Sequence, residues 1–222
     1  MGHGGYVAGL FAVGVGSAVQ VTLRRPTPLD APLVLTRDDD GRGELRHGDD
    51  LIAEAEPATL RLDVPRPPRG VDAAAAEAGS PSHRNGRGVH PICFGCSVNR
   101  DVGDALRIAA GPIEVDGIEQ VAAAWLPGAA FAGDDGAVTP QFVVAALDCP
   151  GAFAFITDGQ PAGLLGRIVF EQHHPVPADV THVVTGWQIG VDGRKHLAGT
   201  ALFAPDGTLL AAAHATWFSF PG

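Results

Sequence analysis

Two stretches of this chain read as copies of one helix. Residues 5–12, Gly-Tyr-Val-Ala-Gly-Leu-Phe-Ala, line up with residues 141–148, Gln-Phe-Val-Val-Ala-Ala-Leu-Asp. The match continues past the end of each copy. First comes a β run: Val19, Val21 and Leu23 share one face in the first half, as Ile168 and Phe170 do in the second. A Pro-x-Pro connection comes next, Pro26-Thr27-Pro28 in one half and Pro175-Val176-Pro177 in the other. Each leads to a further β run (33–36; 182–189) and a polar hairpin turn, Asp38-Asp39-Asp40-Gly41 or Asp192-Gly193. A last strand closes each half (51–55; 208–217). Such a chain is expected to fold as two similar units, each a helix followed by an antiparallel meander.

The halves are not identical. The second has extra strand-like runs ahead of its helix, at 105–109 and 119–126. The first has no room for a strand before its helix: either the fold does without one or the reading frame begins upstream. Between the halves lies a segment rich in Pro, Ala, Gly and Arg, with one helical turn expected at 72–78. The expected division is an amino-terminal unit at 1–65, a linker at 66–90 and a carboxy-terminal unit at 91–222.

Composition narrows the partners. The chain has 222 residues, 45% hydrophobic and 18% charged, enough for a packed core. A net charge of −10 argues against nucleic acid or an anionic membrane as partner. No apolar run approaches the roughly 20 residues that a membrane helix needs. Residues 6–18 have the apolar character of a signal core, but no Lys or Arg precedes them. Cys93, Cys96 and Cys149 are an odd number with no disulfide framework, so a reducing cytoplasm is the expectation.

The copies differ where chemistry would sit. Asp148 in the second aligns with Ala12 in the first. Gly4, with a free N–H, aligns with Pro140, which has none. One half supplies an acid and the other a donor, which points to one composite site rather than two.

The segment His3-Gly4-Gly5-Tyr6-Val7-Ala8 resembles the helix opening of the hotdog-fold acyl-CoA thioesterases. Residues 140–151, Pro-Gln-Phe-Val-Val-Ala-Ala-Leu-Asp-Cys-Pro-Gly, are similar to the second helix of double-hotdog members of the thioesterase superfamily. So is Gly193-Arg194-Lys195, followed by a strand ending in Ala215-Thr216-Trp217. The resemblance covers most of the chain. It implies an α+β fold: two fused hotdog units, each an antiparallel sheet wrapped around a central helix. It also implies an acyl-CoA thioester as substrate, with coenzyme A only as part of it and no other cofactor. A homodimer is a further expectation. In the family a glycine N–H at the helix start polarises the carbonyl, and an acid about eight residues along the partner helix activates water or attacks directly. Gly4, with Gly5 beside it, and Asp148 occupy those places here.

Each residue also has a structural role to weigh. Pro150 disturbs the helix after Asp148, so the carboxylate has freed backbone groups it could bond. A carboxylate buried in a helix is costly without a partner, which favours function. Gln141, seven residues earlier, shares a helix face with Asp148 and either orients water or substrate or is a solvated first-turn residue. His3 either donates to substrate or sets the glycine turn. Thr139-Pro140 is a good helix start, Thr as N-cap and Pro at the first position. Arg194 and Lys195 follow a turn glycine and are candidates for the coenzyme A phosphates, against a solvated role.

Cys93-x-x-Cys96, with His90 three residues before, has partial zinc-ligand spacing. A fourth ligand is needed and no second pair exists; Cys149 or a distant His could serve but nothing in the sequence points there, so packing is the expected role and no metal is expected. His173-His174 point to opposite faces of a strand, and Trp125, Trp187 and Trp217 are expected in the sheet core. Gly14-x-Gly16 falls at the end of the first helix, not in a turn after a strand, and no Gly-x-Ser-x-Gly elbow is present. The reading is thioester hydrolysis. A non-catalytic binder of acyl or other apolar groups is the alternative. A hydratase is weaker, because Phe153 stands where that hotdog type has a His after its Asp.

Overall fold

The computed structural model describes residues 1–13, 18–83, 90–157, 159 and 163–220. The Gly14-x-Gly16 motif lies outside them. One sheet of ten strands organises the chain. Its strands are β1 (Val19–Leu23), β2 (Val34–Arg37), β3 (Gly43–His47), β4 (Asp50–Pro57), β5 (Gly111–Val115), β6 (Ile118–Trp125), β7 (Gly163–Gln172), β8 (His182–Asp192), β9 (Lys195–Phe203) and β10 (Leu209–Ser219). Their order is β2-β3-β4-β1-β7-β10-β9-β8-β6-β5, and every neighbouring pair is antiparallel. Outward from the central β1–β7 pair, the order is the same on both sides: β1-β4-β3-β2 and β7-β10-β9-β8. Strands β6 and β5 extend the second side only.

Alternation along the strands decides what faces the helices. In the central pair Val19 lies opposite Phe170 and Val21 opposite Ile168, and all four are buried. Gln20 points the other way and donates to Glu56 at 2.6 Å. Helices α1 (Gly4–Gly9), α3 (Pro140–Ala146) and α4 (Cys149–Ile156) fill the sheet's inner face. Val7, Phe11, Val143, Leu147 and Phe153 pack there, each contributing about 1.5–3 kcal/mol of burial. Leu10, next to Phe11 in the same segment, is partly exposed.

Helix α2 (Gly70–Ala76) and the chain before it lie on the opposite face. Ala73 packs with Ala122, Val183, Trp187, Ala201 and Phe203, and Leu60, Leu62 and Val64 join them. The helical turn expected at 72–78 is this element and the 3-10 turn Glu77–Gly79 after it. Among the described residues no helix is long and apolar enough to cross a membrane.

Two expectations about strands need correction. Residues 105–109 are not a strand. Arg107 adopts a left-handed backbone (φ 58°), which breaks extended geometry. The Leu106 and Ile108 N–H groups donate instead to the Phe94 and Gly95 carbonyls at 2.9 Å, so this segment is stitched to the cysteine loop. Strand β3 had no apolar run to announce it: its sequence is Gly-Glu-Leu-Arg-His, with Leu45 its one buried apolar side chain.

The second helix is broken. Thr139 and Pro140 begin it as expected, although the Thr139 side chain makes no capping bond. It ends at Ala146, and α4 starts at Cys149 with Pro150 in its first turn. Proline offers no N–H to the preceding turn, so the ladder stops and restarts there. Asp148 sits at the junction.

Candidate active site

Helices α1 and α3 touch through glycine. A Cβ on Gly5 would lie 2.6 Å from Asp148 Cβ and 2.9 Å from the Val144 carbonyl oxygen. A Cβ on Gly9 would strike the Gln141 backbone, 2.8 Å from its carbonyl oxygen. With a glycine at both positions, one turn apart, the backbones approach without side chains between them. That approach brings Asp148 to the start of α1.

There the Gly5 N–H donates to Asp148 Oδ2 at 2.6 Å, across 143 residues of sequence. Asp148 does not cap its own helix. The bond therefore runs between the amino-terminal and carboxy-terminal halves of the chain, from Gly5 rather than Gly4. Among the described residues no partner takes the Gly4 N–H. The other carboxylate oxygen, Oδ1, is buried and also lacks a hydrogen bond.

His3 is the N-cap of α1. Its Nδ1 accepts the Tyr6 N–H at 3.3 Å, which leaves Nε2 facing Asp148 Oδ2 at 3.4 Å. Asp148 is only 3% exposed. Burial raises its carboxyl above the usual range; the neighbouring His3 charge and the Gly5 N–H oppose that. Burial works to lower the His3 pKa, but the Asp148 charge, helped by Cys93, outweighs it and the net direction is upward.

Cys93 and Cys149 join this site, which sequence spacing alone did not bring together. Cys149 Sγ is 3.5 Å from His3 Nε2, and Cys93 Sγ is 3.6 Å from Cys149 Sγ. All three cysteines are free thiols. The signals available in sequence were the Cys-x-x-Cys pair and the cysteine directly after Asp148. His90, the histidine nearest the pair in sequence, is exposed; its Nδ1 accepts from Ile92 N–H at 3.4 Å. Tyr6, Phe94, Phe131 and Phe142 form an aromatic cluster beside His3, with Phe94 edge-on to the imidazole at 5.9 Å.

The remaining candidates lie apart. Gln141 touches α1 at Gly9, and its Oε1 is buried without a partner. With the helix broken at 147–148, Gln141 and Asp148 sit on separate helices. The Arg194 guanidinium donates twice to the Ser219 carbonyl, at 3.0 and 2.9 Å. Lys195 pairs with Asp192 at 3.4 Å. His196, next along β9, faces Phe155 of α4 with ring centroids 4.8 Å apart, so Lys195 points to the other side of the sheet. There it borders a groove of about 530 Å³ with Arg24, Arg167 and Thr216. The structure thus unites His3, Gly4, Gly5 and Asp148 and leaves Gln141, Arg194 and Lys195 outside that group.

The fold is similar to that of a solved structure that covers nearly the whole chain. The tesB protein of Mycobacterium avium subs paratuberculosis superposes with a TM-score of 0.62 at 14% identity, over 98% of this chain and 87% of that one. A thioesterase superfamily protein is 19% identical with a TM-score of 0.45, over 52% of this chain; the chain spans 55% of that protein's length. A hypothetical thioesterase protein from Streptococcus pneumoniae, solved with coenzyme A, is 11% identical with a TM-score of 0.43, covering 45% of this chain and 80% of that one. No protein-family model and no curated protein matches. At 14% identity the likeness to the tesB protein shows the fold alone, one large antiparallel sheet with few helices.

Proposed function

We propose that this chain hydrolyses an acyl-CoA-type thioester at one composite site between two fused hotdog units. In this reading residues 1–65 and 91–222 are the two units and 66–90 connects them. The repeated strand order on either side of β1–β7 supports the duplication. The observation that carries the function is a buried carboxylate tied to the opposite unit's glycine N–H, with one oxygen and one adjacent N–H still unengaged.

The chemistry rests on that division. Gly5 N–H holds Asp148 Oδ2, with His3 alongside as a positioning residue. Oδ1 takes a proton from water as the water oxygen attacks the thioester carbonyl. The developing oxyanion is met by the Gly4 N–H. Collapse breaks the C–S bond, and the coenzyme A thiolate leaves with the proton that Asp148 had taken. Carboxylic acid and free thiol are the products, so the balance needs only water. A carboxyl raised by burial is a stronger base than an exposed one, which suits it to this step. Gln141, Arg194 and Lys195 carry no part of the reading.

Turnover of an acyl-CoA panel, followed by chromatography of released coenzyme A, tests it. Asp148→Asn is expected to keep the fold, because an amide oxygen still accepts from Gly5 N–H, and to lower kcat at least ~100-fold. Acyl-CoA turnover unchanged by that substitution would sink the mechanism. A second reading, a non-catalytic acyl binder, is favoured by the low exposure of Asp148. Saturable binding without turnover, equal in wild type and Asp148→Asn, is its signature.

A further inference from the structure

We infer that His3, Cys93, Cys96 and Cys149 form a tetrahedral site for a zinc ion. The ligand atoms come from three distant parts of the chain. His3 Nε2, Cys93 Sγ and Cys149 Sγ all lie within 4.8 Å of one another. Cys96, buried three residues along the same loop from Cys93, lies outside that group of three and is the fourth ligand the inference assigns.

The spacing fits the ion. With Zn–S of about 2.3 Å and Zn–N of about 2.0 Å, a tetrahedron has S···S edges of about 3.8 Å and S···N edges of about 3.5 Å. The observed edges are 3.6 Å for Cys93–Cys149 and 3.5 Å for Cys149–His3. Thiolate and imidazole donors in tetrahedral arrangement select zinc over harder cations. Four protein ligands leave no open position, which is the form of a structural rather than a catalytic site.

The loop is built close around these atoms. A Cβ on Gly95 would fall 2.7 Å from His3 Nε2 and 2.8 Å from Cys149 Sγ, so only glycine lets the backbone wrap the cluster. Hydrogen bonds from Leu106, Ile108 and Ser97 N–H to the Phe94, Gly95 and Cys93 carbonyls hold the loop. Zinc binding displaces the thiol protons to solvent. At His3 the ring proton moves to Nδ1, and the long 3.3 Å contact from Tyr6 N–H is given up. The ion would then staple the amino-terminal segment to the cysteine loop and to the α3–α4 junction. The site shares His3 Nε2 with the hydrolase reading but leaves the Gly5–Asp148 bond in place, and its test reads metal rather than turnover.

The full chain, expressed with zinc in the medium and freed of loose metal, is analysed by elemental mass spectrometry and by cobalt substitution. One zinc per chain is expected, with the thiols protected from alkylation until a strong chelator is added. Cobalt(II) protein is expected to show thiolate-to-metal charge transfer and tetrahedral d–d bands. Cys93→Ser and Cys149→Ser should each weaken zinc affinity by ~100-fold or more, while His90→Gln retains zinc as wild type. Substoichiometric zinc in wild type with three alkylatable thiols, or a Cys93–Cys149 disulfide in its place, overturns the site. The wild-type cobalt spectrum decides the matter even where a cysteine variant does not fold.

Discussion

Gly5→Ala is the sharpest probe of how the two helices meet. The added methyl would sit 2.6 Å from Asp148 Cβ, 2.9 Å from the Val144 oxygen and 3.0 Å from Ala145 Cα. Ordinary carbon contacts begin at about 3.5 Å, so α1 and α3 must part by roughly 1 Å. Two of the three obstructing atoms are backbone, so no rotamer change relieves them. Overpacking of this kind costs about 1–3 kcal/mol. Parting the helices also stretches the 2.6 Å bond from Gly5 N–H to Asp148, and a hydrogen bond to a charged group is worth about 1.5–3 kcal/mol. Alanine's better helix propensity returns less than about 1 kcal/mol. The net loss is about 2–5 kcal/mol, or a Tm lower by roughly 4–20 °C for a chain of this size. Urea and thermal unfolding measure it. Gly70→Ala is the control: a Cβ there meets nothing within 4 Å, and stability should hold or rise slightly. If Gly5→Ala melts with wild type, the close approach of α1 and α3 is wrong, and the inter-unit bond with it.

Arg37 donates to the carbonyls of Val13, Leu10 and Phe11 at 2.9, 3.3 and 2.6 Å, closing the turn after α1. Arg37→Ala should cost about 1–3 kcal/mol in urea unfolding and raise amide exchange in residues 7–12. Leu147, fully buried between the broken helices, should lose about 2–5 kcal/mol as alanine. His214 has its pKa lowered from 6.5 by burial, and its Nε2 has no partner. A depressed pKa means the unfolded chain takes the proton first, so the stability His214 contributes is present above pH 6.5 and is lost as pH falls below it. His214→Gln should flatten that fall in chemical denaturation repeated across the range; an unchanged slope would refute the assignment.

Much of the sheet was legible because its signals are local. Polar turns at 38–41, 192–193 and 206–207 each fall between strands that pair as hairpins or meander neighbours. Alternation placed Val19, Val21, Ile168 and Phe170 on the helix side. Strand β3 escaped because Glu44, Arg46 and His47 carry no apolar periodicity; its place is fixed by pairing with β2 and β4, which is non-local. Residues 105–109 misled for the opposite reason. Ala105, Leu106, Ile108 and Ala109 are all buried, as a strand's would be, but against the cysteine loop. At the site, sequence alignment named the acid and the glycine pair, but the N–H that meets the acid depends on helix phase at an N-terminus, which alignment does not resolve. The meeting of His3 with Cys93 and Cys149 lies further still from local signals, since their separations of 56 and 146 residues are closed only by the tertiary fold.

In the proposed hydrolase reading, the contact between the helices also accounts for a single site. In the aligned copies Gly5 corresponds to Gln141, and Gly9 to Ala145. Gly5 packs on Ala145, and Gly9 packs on Gln141. These are one contact seen in both directions, the reciprocity that a two-fold interface requires. Applied to the bond between Gly5 N–H and Asp148, the same operation sets the Gln141 N–H opposite residue 12. Residue 12 is alanine, which accepts nothing, and Pro140 takes the place of Gly4 with no N–H to offer. The second location therefore lacks both the carboxylate and the N–H that the proposed reading uses, while keeping the helix packing. Packing constrains both copies through the small residues at the crossing; the carboxylate and its donors are needed in only one.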